Sequence, residues 1–129
     1  MRPTIVLLSP LADHQSIVTR LQQVGVYSEG LILDLLDRGE CSFGVDVSGD
    51  VLGEFDAEEA DEVRNRIGEF RVILLEYSRV SCVRDLLGEV LQGMSGLLDT
   101  NYGELLEYEE VLARFRREPL WDWRSTVAE

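Results

Sequence analysis

This sequence of 129 residues has no lysine, and all twelve of its basic side chains are arginines. They stand against 25 aspartates and glutamates, which gives a formal net charge of −13 at pH 7. Ligands that carry phosphate groups, such as nucleic acids and anionic membrane surfaces, are bound through positive charge. The shortage of cations therefore disfavours both ligands. It favours a basic protein partner, which opposite charge attracts and orients.

The sequence also has no long apolar run. A membrane helix needs about 18 consecutive apolar residues, and the early run TIVLL at 4–8 is soon followed by Pro10 and Asp13. That run is too short for the apolar core of a signal peptide. We therefore expect a cytoplasmic protein. The length and the 45% hydrophobic content fit one globular domain over residues 1–129.

Few residues suited to catalysis are present. His14 is the only histidine, and a catalytic base needs an orienting partner that no motif supplies here. The sequence contains no Gly-rich phosphate loop, nucleophile elbow or metal-ligand pattern. We therefore expect no enzyme activity, no metal and no cofactor. Cys41 and Cys82 fall in a predicted strand and a predicted helix, and we interpret them as small buried apolar residues rather than a disulfide.

Runs of β-branched and alternating residues predict several strands. They are expected at 4–9, 41–47, 51–55 and 70–77, with the last of these at the centre of the sheet. The segment GLLDTNYGEL predicts two short extended pieces joined by a turn at 101–103. Residues 31–36 fit a strand or two helical turns, and the glycines that flank this segment favour the strand.

Helical spacing of apolar residues predicts four helices between these strands. One follows Pro10, one follows Asp56, and the last begins near Tyr108. The third is capped by Ser78 or Ser81 and has an apolar stripe over 83–94. Asp56 and Glu59 match a capping box, and Gly68 ends that helix. The order of elements predicts an α+β fold, with a single mixed β-sheet and helices packed mainly on one face. It is compatible with a ferredoxin-like split βαβ core followed by a C-terminal helix.

Acidic residues concentrate in the middle of the chain, where residues 54–110 hold fifteen acids and five arginines, a net charge of −10. Two clusters stand out, EFDAEEADE at 54–62 and ELLEYEE at 104–110. For the first, a solvated helix face that complements the helix dipole is as good an interpretation as a binding surface. Tyrosines beside the second favour an interface. The predicted partner-binding residues are Glu54, Asp56, Glu58, Glu59, Asp61, Glu62, Tyr102, Glu104, Glu107, Tyr108, Glu109 and Glu110.

The segment GLLDTNYGELLEYEEVLARFRREPLWDWR combines a Gly-Leu-Leu-Asp strand at 96–99, an Asn-Tyr-Gly turn at 101–103, a helix, and the close pair Trp121 and Trp123. In this pattern the last third of the chain resembles small bacterial immunity-type proteins of contact-dependent toxin systems. The resemblance implies a protein that binds and blocks one toxin of sister cells. Acidic immunity proteins commonly oppose basic nucleases by covering a phosphate-binding cleft, so it also implies a basic, nuclease-type toxin as the partner.

Both tryptophans of the protein, Trp121 and Trp123, follow Pro119 near the C-terminus. An extended LWDW segment would point the two rings to the same side. We expect them to close the core rather than to anchor a partner. If buried, their indole N–H groups need acceptors.

Two other functions stay open beside a toxin-neutralising immunity protein. An acidic inhibitor from a phage or mobile element would mimic nucleic acid with carboxylates spread at near-phosphate spacing, whereas here they form two clusters. A small enzyme or ligand-sensing regulatory domain would need a pocket with convergent polar groups.

Overall fold

A computed structural model describes residues 2–124 and places their strands in one sheet. The strands are β1 (Thr4–Pro10), β2 (Val26–Ser28), β3 (Asp34–Arg38), β4 (Cys41–Asp46), β5 (Phe70–Glu76), β6 (Leu97–Asp99) and β7 (Leu105–Glu107). The helices are α1 (Leu11–Gln23), α2 (Ala57–Ile67), α3 (Val80–Val90) and α4 (Tyr108–Arg117), with a 3-10 helix at Asp50–Glu54. The sheet order is β2-β3-β4-β5-β1-β6-β7, with β5 at the centre as expected. The α+β class is confirmed. Every neighbouring pair is antiparallel, where a mixed sheet was expected.

The four inner strands form a split βαβ arrangement. β1 and β4 run in the same direction because antiparallel β5 lies between them, and β5 and β6 do so because β1 lies between them. In the chain, α1 lies between β1 and β4, and α3 connects β5 to β6. The two units interleave as β4-β5-β1-β6, which is the ferredoxin-like arrangement that the sequence suggested. The hairpin β2–β3 and strand β7 extend this core at its two edges.

Three helices pack on one face of the sheet. α1, α3 and α4 bury their apolar sides against alternate residues of the strands in the larger of two core clusters. The 3-10 helix and α2 cover the other face, where they meet β1, β5 and β6. No residue of β2 or β3 belongs to this second cluster. Within residues 2–124, no helix is long and apolar enough to cross a membrane.

α2 begins and ends where the sequence predicted. The Asp56 carboxylate accepts the Glu59 backbone N–H at 2.8 Å, and the Glu59 carboxylate accepts the Asp56 N–H at 3.1 Å. These reciprocal bonds satisfy two donors that the first helical turn leaves free, which confirms the capping box. Gly68 follows the last turn with a φ of +80°.

The strand expected at 51–55 is wrong, because this segment holds the 3-10 helix. The backbone N–H and the hydroxyl of Ser48 both donate to the Asp46 carboxylate, and Gly49 takes a φ of +87°, which turns the chain. β5 takes the place beside β4, so no sheet position is left for 51–55. In the ambiguous segment 31–36, residues 34–36 belong to β3, and 31–33 form the loop before it.

The expectation that Cys41 and Cys82 are unpaired is also wrong. The two residues form a disulfide, with their Cα atoms 5.6 Å apart. Cys41 is the first residue of β4 and Cys82 lies in the first turn of α3, so the bond ties that helix to the sheet. Forty-one positions separate the cysteines in sequence, and only the packing of α3 on the sheet brings them together.

Trp121 and Trp123 both lie in the larger core cluster, as expected, with 5% and 0% of their surface exposed. The Trp123 indole N–H donates to the hydroxyl of buried Tyr77 at 2.9 Å. The Trp121 ring lies 4.2 Å from the Arg114 guanidinium. Its own indole N–H is buried and finds no acceptor among the described residues, so only one of the two expected hydrogen bonds is present.

Gly96 allows Tyr108 to close over β6, and we expect Gly96→Ala to destabilise the protein by about 2 kcal/mol through overpacking. A Cβ at Gly96 would collide with the Tyr108 ring and lie 2.6 Å from the Leu8 carbonyl oxygen, and its φ is +151°. Gly88→Ala is a matched control, because a Cβ there meets nothing within 4 Å. In the interior of α3 it should stabilise by about 0.5–1 kcal/mol. Urea denaturation followed by circular dichroism measures both, and equal stability of the two variants would contradict this account.

Candidate partner-binding site

An acidic cleft of about 390 Å³ opens on the α2 face, between α2 and the turn that joins β6 to β7. Its carboxylates come from both acidic parts of the chain. Glu59 and Glu62 lie one turn apart on α2, and Asp99 and Glu104 flank the turn. Phe55, Val63 and Leu105 provide the apolar part of the lining, and among residues 2–124 no arginine lines the cleft. The arrangement suits a positively charged group, such as a guanidinium or an ammonium.

The turn beside the cleft is held by side-chain hydrogen bonds. The Asp99 carboxylate accepts the Asn101 backbone N–H at 2.8 Å, and Asn101 has a φ of +64°, which asparagine tolerates better than most residues. The Asn101 amide donates to the carbonyl and hydroxyl oxygens of Thr4 at 3.0 and 2.9 Å. These bonds fix the turn to β1, so Asp99 is presented to the cleft in a defined position.

The carboxyl group of Asp99 has a raised pKa. Burial raises its pKa, the bond from Asn101 opposes this, and the negative charge of Glu59 raises the pKa further. The negative charge of Glu59 therefore acts on Asp99 across the cleft from α2. A bound cation would favour the ionised form, so binding there should weaken as the pH falls through the raised pKa of Asp99.

Glu104 links the cleft to α4. One of its carboxylate oxygens lies 3.9 Å from an Arg114 nitrogen. The other, Oε1, is buried and has no hydrogen-bond donor within residues 2–124. A buried carboxylate oxygen without a donor is costly.

The structure brings three of the twelve predicted partner-binding residues into this cleft: Glu59, Glu62 and Glu104. The other seven predicted acids are exposed but lie outside its lining: Glu54, Asp56, Glu58, Asp61, Glu107, Glu109 and Glu110. Glu107 and Glu109 line a second groove together with Arg66. Tyr102 lines a different groove with Arg2 and Arg124. The second acidic cluster is therefore divided between several surfaces.

Tyr108 is not a surface residue, so its prediction as a partner contact is wrong. Its side chain is 1% exposed and its hydroxyl lies 2.7 Å from that of Ser9 in a buried hydrogen bond. Burial raises its pKa. The residue begins α4 and faces the sheet because the helix places Val111, Leu112 and Phe115 on the same side.

Asp99 and Asn101 are the site residues that the partner-binding prediction missed. Both belong to the DTN sequence at 99–101, an Asx-type turn signal that places the side chain of the first residue against the backbone of the third. That signal predicts the turn. It does not reveal that α2, more than thirty residues earlier, lies opposite.

His14 lies in the first turn of α1. Burial and the nearby positive charge of Arg71 lower the pKa of His14, and its Nδ1 is buried without a partner in the described part of the chain. Within 2–124, no group of three or more His, Cys, Asp or Glu side chains is placed to hold a metal ion. No protein-family model, no curated protein and no solved structure matches this chain.

Proposed function

We propose that this protein is a toxin-neutralising immunity protein that binds a basic toxin and occludes its active site, without turnover of its own. The observation that carries the proposal is the acidic cleft. There α2 and the β6–β7 turn bring four carboxylates together beside apolar lining residues. An arginine- or lysine-bearing surface would be complementary to it in charge, as a nuclease that binds phosphates would be.

Two further features support a protein partner. The net charge of −13 produces a long-range field that speeds encounter with a basic protein. Burial and the negative charge of Glu59 raise the pKa of Asp99, and a bound cation would offset both effects. The four carboxylates that do meet in one cleft support a local contact with a cation rather than the row of charges along a face that a nucleic-acid mimic needs.

The disulfide bears on where the protein would meet its toxin. Disulfides persist in oxidising compartments and are rare in the reducing cytoplasm. The bond between Cys41 and Cys82 therefore favours a site of action outside the cytoplasm, against the compartment expected from the sequence. Trapping of free thiols in intact cells, followed by mass spectrometry of the protein, would give the oxidation state directly.

The proposal predicts that a reading frame next to this gene encodes a toxin domain, and the function is tested with that domain. Cells that express this toxin domain should stop growing, and co-expression of the protein should restore growth. The purified protein should inhibit the toxin's activity with one-to-one stoichiometry. Unimpaired toxin activity in the presence of a tenfold molar excess of folded protein would refute the proposal.

Neutralising the cleft carboxylates should weaken binding of this toxin at least about 10-fold, because charges at contact distance in the complex are lost. The variant is Glu59→Gln with Glu62→Gln. Glutamine at 59 keeps the capping box, which accepts Glu or Gln at that position.

The matched control is Glu58→Gln with Asp61→Asn, on the same helix but outside the cleft. It changes the net charge by the same amount, so both pairs should reduce long-range steering equally. Stopped-flow association across a salt series separates the two effects. Equal loss in both variants would mean that the charge acts only at long range and that the cleft is not the contact.

A further inference from the structure

The β2–β3 hairpin carries an exposed apolar surface at the opposite edge of the sheet from the acidic cleft. Leu31 is fully exposed and Ile32 is 89% exposed, in the loop between the two strands. Val26 and Leu35 are exposed on the strands themselves. We call these four residues the hairpin patch. Large apolar side chains gathered at one exposed place mark interaction sites more often than single ones do.

The loop that presents this patch is held in place by Asp34. The Tyr27 hydroxyl donates to one oxygen of its carboxylate at 2.5 Å, and the Gly30 backbone N–H donates to the other at 3.3 Å. Leu33 in the same loop folds back toward Gly44, where a Cβ would lie 2.8 Å from its side chain. The loop thus turns one leucine inward and holds Leu31 and Ile32 outward, so binding would not have to order it.

The strand register places Val26 and Leu35 on the uncovered half of one sheet face. Ser28 pairs with Leu35, and Leu35 pairs with Gly44, which in turn pairs with Glu76 of β5. The same face of β5 carries the residues that α2 and the 3-10 helix cover, but that cluster contains no residue of β2 or β3. Tyr27 and Leu36 point to the opposite face and pack on the larger core.

The hairpin and the turn after it carry exposed negative charge. Residues 26–40 contain four carboxylates and one arginine. That arginine, Arg38, donates to the Val24 carbonyl at 2.9 Å and forms an ion pair with Glu89. Its positive charge is therefore already paired within the protein. Glu29, Asp37 and Glu40 are exposed around the hairpin. The complementary surface is an apolar pocket with arginines or lysines at its rim.

A second copy of this chain fits the patch poorly. It would bring a further net charge of −13 to an acidic surface, and like charge opposes association. Edge strand β2 has only three residues, and short edge strands discourage pairing between copies.

We propose that the hairpin patch is the main affinity contact with the basic toxin, and that Leu31 and Ile32 insert into an apolar pocket of that protein. This inference rests on the proposed function and adds a second contact surface to the same complex. The cleft carboxylates contact cations of the toxin and also speed its association, whereas the apolar anchors of the hairpin slow its dissociation.

The test compares Leu31→Ser with Ile32→Ser, combined, against Leu11→Ser with Leu120→Ser. The control residues are exposed leucines away from the hairpin. Both double variants should melt like the wild type, because surface substitutions have small effects on stability. Surface plasmon resonance with the toxin domain should show a dissociation rate about 10- to 30-fold faster for the hairpin variant only, with a nearly unchanged association rate.

Each outcome of this experiment either supports or overturns the inference. Wild-type binding with an equal dissociation rate in the hairpin variant overturns this inference and leaves the proposed function standing. Absence of any binding by the wild type overturns the proposed function, and this inference with it. A concentration-dependent dimer in analytical ultracentrifugation that the hairpin substitutions abolish would show a second copy as the occupant, against the basic partner proposed.

Discussion

Reduction of the Cys41–Cys82 disulfide is expected to lower the free energy of unfolding by about 4 kcal/mol. The bond closes a loop of 41 residues in the unfolded chain, and the chain-entropy relation gives about this value for a loop of that length. It also fixes α3 to the start of β4, and the backbone hydrogen bonds of the sheet do not connect these two elements. Because a domain of this size has only about 5–15 kcal/mol of stability, reduction should shift the unfolding midpoint strongly.

Urea denaturation with and without a phosphine reductant measures this effect. The double variant Cys41→Ala with Cys82→Ala is the control, since it should unfold near the reduced wild type and should not respond to the reductant. Identical midpoints for oxidised and reduced wild type would show that the disulfide does not stabilise this fold.

Trp123→Ala is expected to destabilise the protein by about 3–5 kcal/mol, the usual cost of deleting a buried tryptophan. Trp123 is fully buried, forms an edge-to-face contact with Tyr77 at 6.1 Å, and donates a hydrogen bond to its hydroxyl. Its ring also lies 5.6 Å from that of Trp121. Removal would leave a cavity and strip a buried hydroxyl of its donor.

Phenylalanine substitutions separate the contribution of the aromatic ring to stability from that of the indole hydrogen bond. Trp123→Phe should cost more than Trp121→Phe, because only the indole N–H of Trp123 has an acceptor in the described structure. Guanidinium denaturation followed by far-UV circular dichroism gives both values. A Trp123→Ala variant that unfolds like the wild type but fails to bind the toxin would reverse the interpretation, making the tryptophan an anchor.

The candidate site was predictable only in part, and Glu59 and Glu104 show why. Each lies in an acidic cluster that composition alone identifies, and the capping box fixes where Glu59 stands on α2. Their meeting across the cleft depends on β6 pairing with β1 and on α2 crossing the same face. Asp99 was not predicted, because the sequence around a single acidic residue at the end of a strand does not indicate which residues it will face.

The sequence by itself determined the features that depend on neighbouring residues. The capping box of α2, the glycine after it, the apolar run of β5 and the acidic charge all follow from contacts or counts within a few positions. Tertiary structure alone decided the disulfide, the burial of Tyr108, the convergence of the cleft carboxylates and the exposure of Leu31 and Ile32. Each of these depends on which strands pair and which face a helix covers, and those choices are made by burial of apolar surface across the whole chain.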